Sequence, residues 1–378
     1  MKDLHKTRLT RSDAPHSPAH RPPRRGLVAH HEFWPSWLFY APLIPWCAAL
    51  ALKARHPLAF LAANPGIEKG GGFVNESKAR IMAALAHAGD AACATVLIEA
   101  RADDGPAERA ARVMAAMQRD DRLAFPLILK PDAGQRGFAV KLARSEADVL
   151  TYFELVRGKV VAQQYHPGPQ ECGILWVRDE RAAPAAGFIF AVTRKVFPRL
   201  TGDGTSTLRE LIEGHPRYRR QARIFLTRFA GEHERVLAAG ENLRLAEAGN
   251  HCQGTLFCDG ADLITPALSS VIDEICDRYP GGLDFGRFDI RYESDDRLRE
   301  GKGFAIVEMN GTSAEATNLY DPSRGLLWSY GVLFGQWRHL YRLGRARMKQ
   351  GHRPWSLAAL RAEIKKHFGE RSGSAVAD

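Results

Sequence analysis

Short apolar runs separated by polar or glycine-containing breaks recur along this chain. Two of them follow one another closely, GRFDIRYE at 286–293 and FAIVEMNG at 304–311. Residues i and i+2 of a β-strand point to the same face. Glu308 and Asn310 therefore project together, and Asp289 can join them from a neighbouring strand. The pattern predicts two adjacent strands that carry acidic and amide side chains on one face.

The earlier part of the chain shows the same kind of pattern. An apolar run ends at Lys130, a loop with Gly134 and Gly137 follows, and a second apolar run begins, which predicts a β-hairpin. A buried strand is predicted at 160–164, then a turn at 166–169 and another strand. Helices are predicted at 208–213, 267–279 and within 324–368, the first of them opened by a Thr207/Glu210 capping box.

The segment 33–52 contains no charged residue and is near the length that spans a membrane. Three prolines interrupt it, and Lys53 and Arg55 follow it at once, which argues against a true span. Its tryptophans and tyrosine suit a membrane interface. Three readings stay open: an interfacial or re-entrant segment, a segment that docks on the protein core, and a membrane span.

Composition and charge bear on the partners of the protein and on its cellular compartment. The 378 residues carry a formal net charge of +10, and the tail 1–26 holds seven Lys or Arg against two Asp. That tail is rich in Pro and His and is predicted to be disordered. No zinc spacing or RNA-recognition motif is present, so nucleic acid is not an expected partner. The six cysteines form no CxxC pair and are predicted to be reduced thiols of a cytoplasmic protein.

Asp289, Glu308 and Asn310 form a hard set of oxygen ligands, which Mg²⁺ prefers, and Mn²⁺ is possible in the same set. Arg287 lies two residues before Asp289, on the same face, where a guanidinium suits an anion that gains charge during a reaction. The simpler interpretation is that these are solvated acidic residues at strand ends.

A nucleotide site is predicted on the hairpin and on the strand that follows it. Backbone N–H groups of the loop with Gly134 and Gly137 can cover phosphates, and Lys130 can reach them. The turn after Gln164 and Tyr165 can hold adenine through backbone groups. Gln170 or Glu171 can accept hydrogen bonds from ribose hydroxyls. Each of these stretches alone would read as an ordinary hairpin or turn.

With these stretches in this order, the chain resembles the ATP-grasp superfamily over about residues 75–322, and in particular D-alanine–D-alanine ligases and the amide-forming half of cyanophycin synthetase. The resemblance implies two α+β lobes that enclose ATP and Mg²⁺. It implies a first ATP lysine at Lys78, a second at Lys130, and a hinge at Gln163 and Tyr165. It further implies that Lys195 reaches the γ-phosphate and that Asn250 lies near the phosphates.

Two departures limit this resemblance. The glycine-rich Rossmann-like domain of D-alanine–D-alanine ligases is not found before Lys78, and the loop GTSAEATNLYDP at 311–322 lacks their Pro-Gly stretch. The predicted division is a tail at 1–26, an atypical apolar segment and glycine loop at 27–74, a helical subdomain at 75–124, a small lobe at 125–192, a large metal-binding lobe at 193–322 and basic helices at 323–378.

The expected function is that of an ATP-dependent carboxylate–amine ligase, which forms an amide through an acyl phosphate and releases ADP and phosphate. Arg287, Lys195 and Asn250 are the expected catalytic residues, and a small carboxylate and an amine are the expected substrates. Two alternatives stay open: a phosphotransferase of the same superfamily, and a membrane-associated ATP-binding protein without ligase chemistry. The expected location is the cytoplasm, with possible attachment to the anionic inner face of a membrane.

Overall fold

The computed structural model describes residues 31–74, 76–133, 139–179, 186–246, 249, 251 and 254–371, without the side chains of Lys69 and 367–371. The predicted tail at 1–26, the two loop glycines Gly134 and Gly137, and Asn250 lie outside these residues.

Strands and helices alternate irregularly along the described residues, which confirms the predicted α+β class. The helices are α1 Ser36–Tyr40, α2 Leu43–Ala54, α3 Glu68–Gly72, α4 Lys78–Ala84, α5 Pro106–Met117, α6 Glu146–Leu155, α7 Leu208–Gly214, α8 Ala222–Arg228, α9 Pro266–Asp277, α10 Asp295–Arg299, α11 Leu326–Lys349 and α12 Leu357–Arg371. The strands are β1 Thr95–Ile98, β2 Leu127–Pro131, β3 Lys141–Ala143, β4 Val160–Gln164, β5 Gln170–Asp179, β6 Ala186–Val196, β7 Arg199–Thr201, β8 Asn242–Arg244, β9 Leu256–Asp259, β10 Phe285–Tyr292 and β11 Phe304–Asn310.

Two sheets carry most of the architecture. One has four strands in the order β1-β4-β2-β3, and the other has five in the order β11-β10-β5-β6-β9. Neighbouring strands within each sheet are antiparallel, and β2 and β3 form the predicted hairpin. The chain passes from one sheet to the other between β4 and β5. The four-stranded sheet therefore ends with β4 at Gln164, within the predicted small lobe at 125–192, because β5 pairs with β10 and β6 pairs with β5 in the five-stranded sheet.

Alternation along the central strands separates a buried apolar face from a face that becomes polar. On β5, Ile174 and Trp176 pack with α9 in the main core, whereas Leu175 and Val177 pack in a second core that includes residues of α11. The face of β5 that carries Leu175 and Val177 continues toward the start of the strand with Gly173 and Glu171, neither of which has an apolar side chain. The polar end of this face is where the candidate site lies.

The apolar N-terminal segment docks on the protein through one side. The indole N–H of Trp46 donates to the carbonyl of Phe334, and the Tyr330 hydroxyl donates to the carbonyl of Phe39. Ser36–Ala54 is long and apolar enough to cross a membrane, a test that core helices and signal sequences also pass. Its opposite side is open, since Trp37, Ile44 and Leu52 are 74%, 71% and 81% exposed. Docking on the core thus accounts for only one side of this segment.

Two local predictions from the sequence agree with the structure. Thr207 and Glu210 form the capping box at the start of α7, each bonding the backbone N–H of the other. The described cysteines are free thiols, and Cys93, Cys172 and Cys276 are buried. Burial raises the pKa of the Cys93 thiol to about 11, which keeps this side chain protonated and unreactive at neutral pH.

Candidate active site between the two sheets

Register places the predicted metal ligands side by side. Strands β10 and β11 are antiparallel neighbours in which Asp289 lies opposite Glu308 and Arg287 lies opposite Asn310. Opposed residues of antiparallel strands share a face. The amide nitrogen of Asn310 lies 3.4 Å from Asp289 Oδ2. The three side chains that the sequence pattern grouped therefore project from one place on the large sheet.

The register of this pair of strands shifts just after Asp289, and the shift leaves one backbone carbonyl of β11 free for another partner. Ile290 pairs with Ile306, so Val307 has no opposite residue on β10. The carbonyl of Val307 instead accepts a hydrogen bond from Lys130 Nζ at 3.1 Å. A strand irregularity often re-aims groups in this way. Here it connects β2 of the small sheet to β11 of the large sheet, next to Glu308.

Two cations surround Asp289. Lys195 Nζ lies 2.9 Å from Asp289 Oδ1 and 2.6 Å from Glu171 Oε1, and Arg287 Nη2 lies 3.2 Å from Asp289 Oδ2. Burial alone would raise the pKa of Asp289, but Arg287 and Lys195 outweigh it and lower that pKa to about 2. Asp289 is therefore ionised at neutral pH.

Two further cations surround Glu308. Lys78 Nζ lies 3.4 Å from Glu308 Oε1, and Lys130 approaches through the neighbouring carbonyl of Val307. Burial raises the pKa of Glu308, but Lys78 and Lys130 together outweigh it, so the net shift is downward. The site thus combines two ionised carboxylates with four basic side chains drawn from β2, β6, β10 and α4, and burial lowers the pKa of one of them, Lys130.

Local structure positions these lysines. Ser77 caps α4 by accepting a hydrogen bond from the N–H of Arg80, so Lys78 begins the first turn. Asp132, at the end of β2, accepts from the Ser77 hydroxyl and from the N–H of Ala79. The start of α4 is thereby tied to the hairpin that carries Lys130.

Glycines make room for the charged cluster. Gly173 lies opposite Asp289 on β5, and a Cβ there would lie 3.2 Å from Arg287 Cδ and 3.3 Å from Asp289 Oδ1. A Cβ on Gly249 would lie 2.4 Å from Glu171 Oε1. A side chain at Gly249 would displace the Glu171 carboxylate, whereas one at Gly173 would require Arg287 and Asp289 to shift by a few tenths of an ångström. Asn250 itself is outside the described residues, although its neighbours Gly249 and His251 line the cavity beside the cluster.

The predicted hinge residues have more structural partners than the sequence suggested. Gln163 accepts from Lys130 Nζ at 2.9 Å and donates to the Thr95 hydroxyl at 3.0 Å, so it positions Lys130. The N–H of Gln164 donates to the carbonyl of Ala94, so this group serves the sheet and does not face a nucleotide. Tyr165 stacks under the guanidinium of Arg291 at 5.4 Å.

The two predicted ribose contacts differ in placement. Gln170 pairs with Tyr292 at the end of the β5–β10 ladder, close to the crossing between the sheets. Glu171 turns toward Lys195, with which it forms a buried ion pair. The structure thus groups Glu171 with the charged cluster and leaves Gln170 on the hinge side.

The donor chemistry fits a magnesium ion. Two ionised carboxylates and an amide lie together, and hard oxygen ligands of this kind suit Mg²⁺. Among the described residues, no group of three or more His, Cys, Asp or Glu forms a metal centre. Asp289, Glu308 and Asn310 would hold the ion in competition with Lys195 and Lys78, and the remaining ligands would come from water and substrate.

A cavity of about 410 Å³ opens beside the cluster. Its lining combines three residues of the cluster, Lys195, Arg287 and Asp289, with a second group, Glu32, Trp34, Phe39, Tyr40 and Tyr320. Sequence reasoning missed this second group because its members belong to the N-terminal segment and to the loop after β11. The only signal for them was the atypical character of both stretches.

No protein-family model and no curated protein matches the chain. Similar solved structures include a bifunctional glutathione synthetase from Pasteurella multocida, at 14% identity and a TM-score of 0.39. That likeness covers 68% of this chain and 35% of the other. A carboxyaminoimidazole ribonucleotide synthase from Aspergillus clavatus, complexed with ATP, is similar at 12% identity and a TM-score of 0.36, over 62% of this chain and 44% of the other.

The biotin carboxylase domain of the Hydrogenobacter thermophilus 2-oxoglutarate carboxylase, in complex with MgADP, is also similar. Its identity is 13% and its TM-score 0.35, over 68% of this chain and 44% of the other. The chain spans less than half the length of each of these three structures.

Proposed function

We propose that the protein is an ATP-dependent carboxylate–amine ligase that works with Mg²⁺. The observation that carries this proposal is the convergence of Lys78, Lys130, Lys195 and Arg287 on the opposed carboxylates Asp289 and Glu308. Polyphosphate brings several negative charges, and a site with both metal-binding carboxylates and fixed cations suits it. The position between two sheets agrees with a nucleotide enclosed by two lobes.

The residues of the chain supply positioning and charge. Lys78 and Lys130 would hold the phosphates from the small-lobe side, and Lys195 would neutralise the transferred phosphoryl group. Arg287 would steady the acyl phosphate and the oxyanion formed when an amine attacks it. Mg²⁺ would supply neutralisation of the phosphate oxygens. In this scheme the carboxylate attacks the γ-phosphate, the amine then displaces phosphate, and the products are an amide, ADP and phosphate.

ADP release tests the proposal. Purified protein with ATP and Mg²⁺ is screened against pooled small carboxylates, each pool with and without pooled amines. ADP and free phosphate that appear only when both substrates are present support ligation. Phosphate retained on an organic product supports the phosphotransferase alternative, and ADP formation with neither pool would contradict both.

Lys130→Met is expected to weaken the binding of a non-hydrolysable ATP analogue. A charge-assisted hydrogen bond is worth about 1.5–3 kcal/mol, so the dissociation constant should rise roughly tenfold to a hundredfold. Titration calorimetry measures it. Lys159→Met is the matched control, because Lys159 is exposed on the same lobe and pairs only with Glu99 among the described residues. Equal affinity in both variants would contradict the assignment of Lys130.

We also propose peripheral attachment to the anionic face of a membrane. The open side of α1 and α2 presents Trp37, Ile44 and Leu52, and Lys53 and Arg55 follow at the end of the helix. Each buried methylene contributes about 0.8 kcal/mol and each nearby basic residue about 1 kcal/mol at an anionic surface.

Flotation with phosphatidylserine liposomes checks this attachment. The wild type is expected to float at low salt and to float less at high salt, since salt screens the basic residues. The triple variant Trp37→Ser, Ile44→Ser, Leu52→Ser should remain at the bottom while keeping its fold, because these side chains are exposed. Leu155→Ser, on the exposed side of α6, is the control and should float like the wild type. Wild-type protein that stays at the bottom at low salt would rule the attachment out.

A further inference from the structure

Two chemically different groups of side chains line the cavity beside the charged cluster. Lys195 and Arg287 supply positive charge. Trp34, Phe39 and Tyr40 of the N-terminal segment, together with Tyr320, form an aromatic group, the aromatic side of the cavity, and Phe257 lies opposite Lys195 on the neighbouring strand. The N-terminal segment therefore completes a pocket whose charged residues belong to the proposed ligase centre.

An acidic group stands behind the aromatic side. The Tyr40 hydroxyl lies 2.8 Å from Glu315 Oε2, and the Tyr320 hydroxyl donates to Glu315 Oε1 at 2.9 Å. Arg287 Nη1 contacts Glu315 as well, but it does so through the backbone carbonyl at 3.2 Å. No lysine or arginine in the described part of the chain forms an ion pair with the Glu315 carboxylate.

This lack of a cation has an energetic consequence. Removal from water raises the pKa of Glu315, because it outweighs the two tyrosine hydroxyls and the nearby charge of Arg287. Glu32, which lines the same cavity, shows the contrast, since Arg217 Nη1 lies 2.7 Å from its carboxylate and His251 lies 3.0 Å away. A cation placed at Tyr40 and Tyr320 would add the direct positive partner that the Glu315 carboxylate does not have among the described residues.

His31, which also lines the cavity, adds an unused acceptor. Its Nε2 lies 2.8 Å from the carbonyl of Leu319 and therefore carries the proton. That leaves Nδ1 as an acceptor, and it is buried with no hydrogen-bond partner among the described residues. Aromatic faces attract cations as well. Carboxylate, imidazole acceptor and aromatic rings together match an ammonium group.

We propose that the aromatic side of this cavity binds the amine substrate of the ligase as its ammonium ion, recognised by Glu315 through its tyrosines and by His31. The inference rests on the proposed function and names the class of its second substrate. Lys195 and Arg287 would hold the anionic substrate in the same cavity, so the charges of the lining would order the two reactants.

Calorimetric titration without nucleotide tests the amine site by itself. The probes are ethanolamine, putrescine, spermidine and the twenty amino acids at millimolar concentration, and ethylene glycol serves as the uncharged counterpart of ethanolamine. At least one amine is expected to bind the wild type, whereas ethylene glycol is not. Glu315→Gln keeps the shape of the side chain and removes its charge, and binding of that amine should weaken by about tenfold or more. Tyr40→Phe should weaken it less, because Tyr320 still donates to Glu315.

Tyr330→Phe is the matched control. It removes a hydroxyl that joins the N-terminal segment to α11 at Phe39, and Tyr330 does not line the cavity. It should bind the amine as the wild type does. No amine binding by the wild type, or equal weakening in Tyr330→Phe and Glu315→Gln, would overturn the inference. The ATP analogue is titrated separately against the wild type. If the wild type binds the amine but does not bind the ATP analogue, the ligase assignment is overturned and the cation site stands.

Discussion

Lys195→Met is expected to destabilise the protein by about 3–5 kcal/mol, because removal of one partner leaves buried charges uncompensated. The Lys195 side chain is 7% exposed, and its ammonium lies within 2.9 Å of carboxylate oxygens of both Glu171 and Asp289. Methionine keeps the length and packing of the stem and removes only the charge. Urea unfolding of the wild type and the variant measures the loss of unfolding free energy, provided that both show the same dependence of that free energy on urea concentration.

Two further variants separate charge from packing. Lys302→Met is the control, since Lys302 is 65% exposed and lies 4.0 Å from Glu300, so its unfolding midpoint should hardly move. Adding Glu171→Gln to Lys195→Met removes one of the stranded charges and should restore part of the stability. A Lys195→Met protein that unfolds at the wild-type midpoint would show that the three groups are not ion-paired in solution.

Glu308→Gln is expected to reduce ADP formation by at least about a hundredfold, since a charged ligand of a catalytic metal contributes several kcal/mol to transition-state stabilisation. The exchange leaves the volume almost unchanged. The Glu308 side chain is 33% exposed, so the fold should persist. Initial rates of ADP release with the substrates found in the screen, together with the melting temperature, measure both effects.

Glu293→Gln serves as the matched control for this change. Glu293 follows β10 directly, is exposed and pairs with Arg297, away from the charged cluster. Its ADP formation should equal that of the wild type. If Glu308→Gln turned over ATP at the wild-type rate, Glu308 would be a structural partner of Lys78 and not a metal ligand.

Alternation along single strands made part of this site predictable. Arg287 and Asp289 are two residues apart, as are Glu308 and Asn310, and such spacing alone puts each pair on one face. The pairing of the two strands followed from their closeness in the chain, and the register then brought Asp289 opposite Glu308. Lys130 was predictable for a similar reason, because the hairpin that carries it is a local structure.

Contacts across long separations were not predictable in this way. Lys130 meets the carbonyl of Val307 only because the register shifts after Asp289. β4 is the last strand of the four-stranded sheet, because β5 pairs with β10, a partner more than a hundred residues later in the chain. The local pattern of apolar and polar residues contains no information about which distant strands pair.

The sequence by itself determined the capping box of α7 and the faces of β10 and β11, because periodicity and local hydrogen bonding are enough for these. Its resemblance to a known superfamily supplied the α+β class. Only the tertiary structure decided that Tyr40 reaches Glu315 across 275 positions of chain, and that Lys195 compensates two carboxylates at once. These partners are chosen by the packing of distant segments around a common core, which no short stretch of residues encodes.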